Sequence, residues 1–279
     1  MKQERHILGI SGGRDSAALA VYMRQHRPDL AIEYFFTDTG KELPEVYTFL
    51  DRLEGFLGKP IKRLNPDRDF NFWLDEYGNF LPSPRTRWCT RQLKLRPLEH
   101  WIRPALEAGT IIHSYVAIRA DELSREGYQA THENMCVHLP LREAGIDRAR
   151  VIELLQQADV GEPEYYSWRS RSGCTFCFFQ QKIEWVRLAE HHPDEFAEAV
   201  NYEKTALEGG SPFTWSQGES LTELIDPERV RAIEDDYDRR LKRLQKRRPR
   251  NPLAAATDES VDDVYGIDEA DAGCVICHK

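Results

Sequence analysis

A glycine-containing turn joins the first apolar run of the chain to its first helical segment. The run at residues 6–10 is followed at once by Ser11–Ser16, which reads S-G-G-R-D-S, and then by an apolar helical pattern. Glycine lets the backbone approach a ligand closely, and a helix N-terminus offers N–H groups and a partial positive charge. A strand, a glycine turn and a helix start in this order predict an α/β fold with a phosphate-binding loop, capped by Asp15 or Ser16.

Two common nucleotide-binding loops do not fit this S-G-G-R-D-S loop. A Walker A loop requires a lysine after its last glycine, and a dinucleotide fingerprint requires a third glycine. The alternative without a ligand is a tight strand-to-helix turn, but the agreement between loop and context favours phosphate binding. The residues predicted to bind the phosphates are Ser11, Gly12, Gly13, Arg14, Asp15 and Ser16.

Strand and helix patterns alternate through the first 125 residues, which predicts a doubly wound, mostly parallel sheet. Ligands of such sheets bind beyond the carboxyl ends of the strands. Besides residues 6–10, strands are predicted at residues 32–36, 60–64 and 111–118, and helices at 16–26, 44–56 and 96–107.

Beyond residue 125 the pattern is mainly helical, at residues 147–159, 172–208 and 227–247. We predict three regions on this basis. They are a nucleotide-binding α/β domain at 1–125, a helical cysteine-containing region at 126–226, and a charged helix with an acidic tail at 227–279.

Two charged residues follow predicted strands and are expected near Ser11 at the same sheet edge. Asp38 follows the second strand, where a carboxylate can accept from a ribose hydroxyl or help to hold Mg²⁺, and Glu42 can share this role. Arg119 follows the fourth strand, where a guanidinium can neutralise charge on a departing pyrophosphate. The alternatives are an Asx turn at Asp38 and a salt bridge between loops at Arg119.

A cluster of four cations surrounds Cys89, and such groups suit phosphate or sulfate. We predict an anion site here, and the alternative is a solvated basic loop. The cations are Arg85, Arg87, Arg91 and Lys94. The predicted catalytic residues are Asp15, Arg91, Lys94 and Arg119.

The six cysteines predict metal or redox chemistry rather than disulfides. Cys174 and Cys177 form a C-x-x-C pair, which can hold a zinc ion or two corners of an iron–sulfur cluster. In one interpretation Cys89 and Cys136 join this pair around a [4Fe–4S] cluster. In the other, the pair at residues 274 and 277 completes a zinc site, although the separation of the two pairs is longer than in compact zinc ribbons. Buried cysteines without a ligand are the third possibility, above all for Cys136.

The overall composition argues against two classes of protein. No apolar run approaches the ~20 residues that span a bilayer. The formal net charge of −9 argues against a protein that coats nucleic acid over its whole surface. We therefore expect a cytoplasmic protein with no membrane partner. A basic run at residues 239–250 can contact a nucleic-acid backbone or can be a solvated helix end.

The S-G-G-R-D-S loop, the Cys89 segment, Arg119 and the C-x-x-C pair occur in an order that resembles the phosphoadenosine phosphosulfate (PAPS) reductase family. S-G-G-x-D-S is the form of the PP-loop of N-type ATP pyrophosphatases. In that superfamily the loop holds the β,γ-pyrophosphate, and ATP is cut between its α and β phosphates. Over residues 5–205 the chain looks most like the ATP pyrophosphatases of bacterial DNA phosphorothioation, of the DndC and SspD type. The more family-specific motifs are Trp88–Lys94 and Ser172–Cys177.

This resemblance implies an enzyme that spends ATP, with Mg²⁺, to adenylate a DNA backbone phosphate so that sulfur can replace an oxygen. It also implies a [4Fe–4S] cluster, a cysteine desulfurase as sulfur donor and other phosphorothioation proteins as partners. The sequence allows a homodimer. The chain departs from cluster-binding sulfonucleotide reductases at Trp88, where those enzymes usually carry the first of two adjacent cysteines. A cluster with three protein ligands would leave one iron open to sulfide.

Three other functions stay open at this point. A thioredoxin-dependent sulfonucleotide (APS/PAPS) reductase uses a cysteine near a mobile C-terminus, which Cys277-His278 loosely resembles without the expected Glu-Cys-Gly order. A tRNA thiolation enzyme would use the same loop. A nucleotide-binding scaffold would recruit a desulfurase without turnover.

Overall fold

Five short strands form one parallel sheet. In the computed structural model, β1 (Glu4–Gly9), β2 (Ile32–Phe36), β3 (Ile61–Arg63), β4 (Ile111–Tyr115) and β5 (Met135–His138) lie in the order β3-β2-β1-β4-β5. All four neighbouring pairs are parallel. This confirms the predicted α/β fold, and it adds β5, which the sequence pattern did not predict.

The structure describes residues 3–65, 67–123, 125–127, 132–210, 213–216 and 218–247. The predictions for Cys274, Cys277, the acidic tail and the end of the basic run lie outside these residues. The helices are α1 (Arg14–His26), α2 (Pro44–Leu57), α3 (Phe70–Glu76), α4 (Trp88–Thr90), a π-helical turn (Arg91–Leu95), α5 (Arg96–Glu107), α6 (Pro140–Glu143), α7 (Arg148–Gln157), a 3-10 turn (Glu164–Ser167), α8 (Lys182–His191), α9 (Pro193–Glu208), α10 (Leu221–Leu224) and α11 (Pro227–Arg247). None of the described helices is both long and apolar enough to cross a membrane.

Most helix bounds agree with the sequence pattern, and one segment does not. Helices α5 and α11 begin and end at the predicted residues, and α2 ends at Leu57, one residue later than predicted, directly before a left-handed Gly58. The predicted helix at residues 172–208 is wrong over its first ten positions, because α8 begins only at Lys182. Residues 170–181 form an irregular loop instead, here called the cysteine loop. Its carbonyls bind buried side chains, as described below, rather than the amides of a helix.

The described residues form two compact units. Unit 1 contains the sheet and comprises residues up to 69 together with 89–164. Unit 2 comprises residues 70–88 and those from 165 onward. The three functional regions predicted from the sequence divide the chain differently and stay a prediction.

The apolar core of unit 1 lies between the sheet and α5. Ile7, Phe35 and Ile112 project from three neighbouring strands and pack with Leu64 and with Ile102 of α5. Burial of a side chain of this size contributes roughly 1.5–3 kcal/mol relative to leaving it exposed. Helix α1 packs against α2 and α7. This packing fixes the start of α1, and with it the loop that precedes it.

The winding of the sheet reverses between β1 and β4, which are neighbours in space but not consecutive strands. Ligands of open α/β sheets bind at such a switch point, beyond the carboxyl ends of the strands. The S-G-G-R-D-S loop follows β1, and the segment with Arg119 follows β4. This edge of unit 1 is therefore the candidate nucleotide site.

Candidate functional site

The S-G-G-R-D-S loop turns through a left-handed glycine. Gly12 has φ +76°, a conformation that side-chain-bearing residues rarely adopt. A Cβ at this position would also lie 2.6 Å from Val46 Cγ1, on the first turn of α2. Both the backbone angle and the close approach of α2 require glycine, so the loop keeps a thin backbone where a phosphate would approach.

Helix α1 begins at Arg14, two residues earlier than predicted, and the predicted side-chain cap was wrong. Its N-cap residue is Gly13, without a capping side chain among the described residues. Ser16 instead faces back into the loop, where its Oγ accepts from the Ser11 N–H at 3.0 Å and donates to the Gly13 carbonyl at 3.1 Å. The hydroxyls of Ser11 and Ser16 lie 3.1 Å apart. The serines thus fix the shape of the loop in front of the positive end of α1.

Arg119 joins the loop after β4 to the first turn of α1. Its guanidinium lies 2.8 Å from Asp15 and 2.9 Å from Asp121, and it is 3.9 Å from Glu122. Burial by itself lowers the pKa of Arg119, but the nearby carboxylates of Asp15, Asp121 and Glu122 outweigh it and raise the pKa above its usual value. The two predicted catalytic residues Asp15 and Arg119 are therefore in direct contact, as the salt-bridge alternative required.

A second guanidinium joins this network, since Arg125 also contacts Glu122 at 2.8 Å. Carboxylates and guanidiniums therefore link the loop after β4 to the first turn of α1.

Arg14 is held by a residue that the sequence analysis did not single out. Its guanidinium is almost fully buried and lies 2.9 Å from the carboxylate of Glu162, whose carbonyl accepts from Arg52 at 3.2 Å. Glu162 follows α7 in a short turn, and no periodic or motif signal marks it. Arg14 was predicted to bind phosphate, and here its charge is matched by a carboxylate of the same unit.

Asp38 lies after β2 in an Asx turn and is held from α2 as well. Its Oδ1 accepts from the Gly40 N–H at 2.9 Å and from the Tyr47 hydroxyl at 2.8 Å. Tyr47 was not predicted, since only the packing of α2 beside the loop brings it there. Glu42 is buried and accepts from the Thr39 hydroxyl at 3.0 Å. Asp38 is thus oriented by two donors, and its role toward ribose or Mg²⁺ stays a prediction.

The predicted basic segment is divided between the units. Arg85 is exposed in unit 2, where Arg87 donates to the Pro84 carbonyl and lies over the Phe179 ring. Arg91 and Lys94 belong to the π-helical turn of unit 1, where Arg91 is exposed and Lys94 is buried. The widened turn buries three consecutive residues, Gln92 to Lys94. The α-helical period does not predict burial of three residues in a row, so the sequence pattern did not reveal it.

The four described cysteines are reduced and half-buried. Cys89 lies in α4 and Cys136 in β5, both in unit 1, whereas Cys174 and Cys177 lie in the cysteine loop of unit 2. Within the described part of the chain, no group of three or more His, Cys, Asp and Glu side chains is arranged to hold a metal ion. The four-cysteine cluster stays a prediction.

The C-x-x-C turn itself suits a thiophilic metal. The Cys177 N–H donates to the Cys174 carbonyl at 3.2 Å, which closes a tight turn. The intervening Phe176 is buried and packs with Phe70, Tyr202 and Trp215. The turn is thereby anchored in the core of unit 2 while its two thiols stay partly accessible. Two sulfur donors at this spacing could supply half the ligands of a zinc ion or an iron–sulfur cluster.

One known protein family matches the part of the chain that contains this site. Residues 5–127 match the phosphoadenosine phosphosulfate reductase domain. The match to this reductase domain covers the S-G-G-R-D-S loop, Asp38, Cys89 and Arg119. It supports the resemblance to PAPS reductases at the family level, and it does not separate the phosphorothioation type from the others.

Two individual proteins are similar to the chain. An uncharacterized protein of Methanocaldococcus jannaschii is 28% identical over 195 residues, which is 67% of this chain and 39% of that protein. The chain thus spans about two fifths of the length of this relative. The crystal structure of phosphoadenylyl-sulfate reductase from Candida auris, a phosphate complex, has a TM-score of 0.48 and 14% identity. That comparison covers 61% of this chain and 81% of the reductase.

Proposed function

We propose that this protein is an ATP pyrophosphatase that adenylates a phosphate of the DNA backbone and so prepares it for sulfur insertion. The observation that supports the proposal is the S-G-G-R-D-S loop at the switch point of the sheet. There Gly12, the N-terminus of α1 and the Asp15–Arg119 pair lie at one edge. The match of residues 5–127 to the reductase domain supports a sulfonucleotide or ATP ligand at this edge.

Each predicted residue has a part in the proposed chemistry. Ser11, Gly12, Gly13 and the first turn of α1 bind the pyrophosphate portion of Mg²⁺–ATP. Asp38 binds the ribose or Mg²⁺, and Arg119 keeps Asp15 in place. A non-bridging oxygen of the DNA phosphate attacks the α-phosphorus, and pyrophosphate leaves. A sulfur nucleophile then attacks the backbone phosphorus, and AMP leaves with the original oxygen.

The proposal includes a cofactor and partners that the sequence resemblance implies. Cys174 and Cys177, with Cys89 and Cys136, would hold a [4Fe–4S] cluster that handles sulfur, with zinc as the alternative metal. The sulfur would come from a cysteine desulfurase, and the acceptor would be DNA bound with other phosphorothioation proteins. Arg91 and Lys94 would contact the anionic acceptor. The protein would act in the cytoplasm, alone or as a homodimer.

Release of pyrophosphate tests the proposal. The full-length protein is incubated with Mg²⁺–ATP and DNA, and AMP and pyrophosphate are measured. We expect equal amounts of the two products, and a loss of roughly 10²-fold in Asp15→Asn, because this change removes the carboxylate charge that pairs with Arg119 beside the loop. Asp29→Asn is the matched control, since Asp29 is exposed beyond the other end of α1 and pairs with exposed Arg27. ATP that stays intact, or equal rates in the two variants, would contradict the proposal.

A sulfonucleotide reductase is the second candidate, favoured by the description of the matched domain. It would consume adenylyl sulfate or its 3′-phosphate with thioredoxin and release sulfite. The same protein preparation distinguishes the two, because only the pyrophosphatase converts ATP to AMP. A scaffold without turnover would support modification in cells even with Asp15→Asn.

A further inference from the structure

Arg169 is a fully buried cation that binds the backbone of the cysteine loop. Its Nη2 donates to the Cys174 carbonyl at 2.7 Å, and its Nη1 donates to the Gly173 carbonyl at 3.3 Å. Gly173 has φ +144°, and a Cβ there would lie 3.9 Å from Arg169 Nη2. One guanidinium therefore brackets the two carbonyls at the start of the C-x-x-C turn.

Arg169 makes no ion pair with any of the residues that the structure describes. A buried charge without a partner is costly, and proteins bury such groups mainly beside an opposite charge or a metal group. The acidic side chain of the same loop region, Glu184, accepts from backbone amides instead. Arg169 therefore places a positive charge against the cysteine loop that no described carboxylate matches.

The rest of the cysteine loop is held from inside by two other buried side chains. The two oxygens of Glu184 accept from the Ser170 N–H at 2.5 Å and from the Gln181 N–H at 2.7 Å. One carboxylate thus ties the two ends of the loop together. Gln180 Nε2 donates to the Thr175 carbonyl at 2.9 Å. The backbone of the turn is fixed before any ligand binds.

Ser170, Thr175 and Gln180 of this loop each have a buried oxygen without a hydrogen-bond partner within the described residues. These atoms are Ser170 Oγ, Thr175 Oγ1 and Gln180 Oε1. Buried polar atoms normally bind protein or ordered water, so these oxygens mark places where the loop can accommodate a water or a bound polar group. This observation is independent of the charge on Arg169.

We propose that Arg169 is a positioning residue of the cysteine loop, which fixes the Cys174–Cys177 turn through its carbonyls and supplies a buried positive charge that matches the anionic ligands of a thiolate-bound metal there. The metal part rests on the cluster in the proposed function. Glu184 closes the loop and completes the support. A guanidinium at this position offsets part of the negative charge that two thiolate ligands bring to one metal ion.

Two measurements on the full chain test this proposal. In metal-free, reduced protein at neutral pH, iodoacetamide alkylation of Cys174 and Cys177 is followed by peptide mass spectrometry. We expect Arg169→Met to react several-fold faster, because the turn loses the guanidinium that holds two of its carbonyls and its half-buried thiols become more accessible. An unchanged rate would show that the Glu184 and Gln180 contacts fix the turn without Arg169.

The second measurement is titration with Co²⁺, which gives a thiolate-to-metal charge-transfer band. The Cys174→Ser/Cys177→Ser double variant defines the part of the band that belongs to this pair. We expect Arg169→Met to bind roughly 10–100-fold more weakly, the usual effect of losing a group that supports metal ligands. Arg187→Met is the matched control, because Arg187 donates to the Trp168 carbonyl at 3.3 Å and lies over the Tyr237 ring, and neither contact is with the cysteine loop.

The variants separate the possible failures. Arg169→Lys keeps the charge but cannot bracket two carbonyls, so we expect alkylation as fast as in Arg169→Met and a Co²⁺ affinity between that of Arg169→Met and the wild type; it also replaces Arg169→Met if that variant does not fold. Wild-type alkylation and Co²⁺ affinity in both Arg169 variants would overturn the inference. Wild-type protein that binds no Co²⁺ at this pair would contradict the proposed cluster alone, because the alkylation rates still decide the role of Arg169 and pyrophosphate release still tests the nucleotide site.

Discussion

The S-G-G-R-D-S loop and the cysteine loop treat a buried arginine in opposite ways. In unit 1, Arg119 lies against carboxylates of two loops, and Arg14 lies against Glu162. In unit 2, Arg169 is equally buried but binds only backbone carbonyls among the described residues. The first arrangement satisfies its own charge, whereas the second holds a charge that an incoming or resident anion can match.

This difference shows that the partners of a buried cation indicate its role. A guanidinium that is paired within its own unit mainly fixes geometry, because removing it strands the carboxylates that surround it. A guanidinium bound only to carbonyls can be lost at smaller cost to folding, but with a larger effect on any anionic group nearby. Loss of the buried arginine should therefore mainly lower stability in unit 1 and mainly weaken the binding of an anionic group in unit 2.

The largest expected effect is on stability, and it compares the two arginines directly. Arg119→Met should lower the free energy of unfolding by about 3–5 kcal/mol, because it leaves buried carboxylates without a counter-charge. Arg169→Met should cost only about 1–3 kcal/mol, the penalty for two carbonyls that lose their donor. Urea denaturation at neutral pH measures both. Equal losses in the two variants would break the comparison.

A second prediction concerns the backbone of the S-G-G-R-D-S loop. Gly12→Ala should cost about 2–5 kcal/mol, because it combines left-handed strain with a new contact against Val46. Gly40→Ala is the matched control, since Gly40 has φ +70° with nothing within 4 Å of an added Cβ, and should cost about 1–2 kcal/mol. Urea denaturation of both variants gives the difference.

The contact part of this effect can be isolated. Adding Val46→Ala to Gly12→Ala removes the side chain that the new Cβ meets, so the double variant should recover part of the loss. A double variant that is less stable than the sum of the two single changes would mean that Val46 is not the obstacle. The loop would then be limited by its backbone angle alone.

The smallest expected effect is a loss of stability at low pH, where protonation adds positive charge to the histidines of unit 1. On one face of the sheet, His6 Nδ1 lies 2.9 Å from the Tyr115 hydroxyl, and His113 lies 2.9 Å from His138. Burial, and then the neighbouring His113, lower the pKa of His6 and of His138 below 6.5. The folded protein therefore binds fewer protons than the unfolded chain, so stability is fully present above pH 6.5 and is lost as the pH falls toward 5.

The magnitude is well under about 1.4 kcal/mol per histidine and pH unit, because solvent screens these half-buried rings. His6→Gln should reduce the slope of stability against pH in this window, as measured by urea denaturation from pH 7 to 5. Glu219 does not interfere, because a hydrogen bond from Arg229 and another from Lys182 lower its pKa from 4.5 to about 2. An unchanged slope in His6→Gln would show that protonation of His6 does not destabilise unit 1. Unit 1 would then tolerate a positive charge at His6 as readily as unit 2 tolerates the charge of Arg169.

Local signals in the sequence located much of unit 1. The apolar run before S-G-G-R-D-S, the proline at the start of α2 and the glycine after its end each act within a few residues, and they predicted the strands and helices closely. β5 was missed because a four-residue strand gains its stability from pairing with β4, which the local pattern does not contain. The cysteine loop was wrongly predicted to be helical because the spacing of its apolar residues does not exclude a helix.

The sequence by itself determined the order of the elements, the glycine loop at the head of α1 and the spacing of the C-x-x-C turn, since these depend on neighbouring residues. Only the tertiary structure decided which charges meet. Asp15 and Arg119 are 104 positions apart, and Arg14 and Glu162 are 148 apart, so no local pattern couples them. The same holds for Arg169, because only the fold shows that it is buried without a counter-charge among the residues that the structure describes.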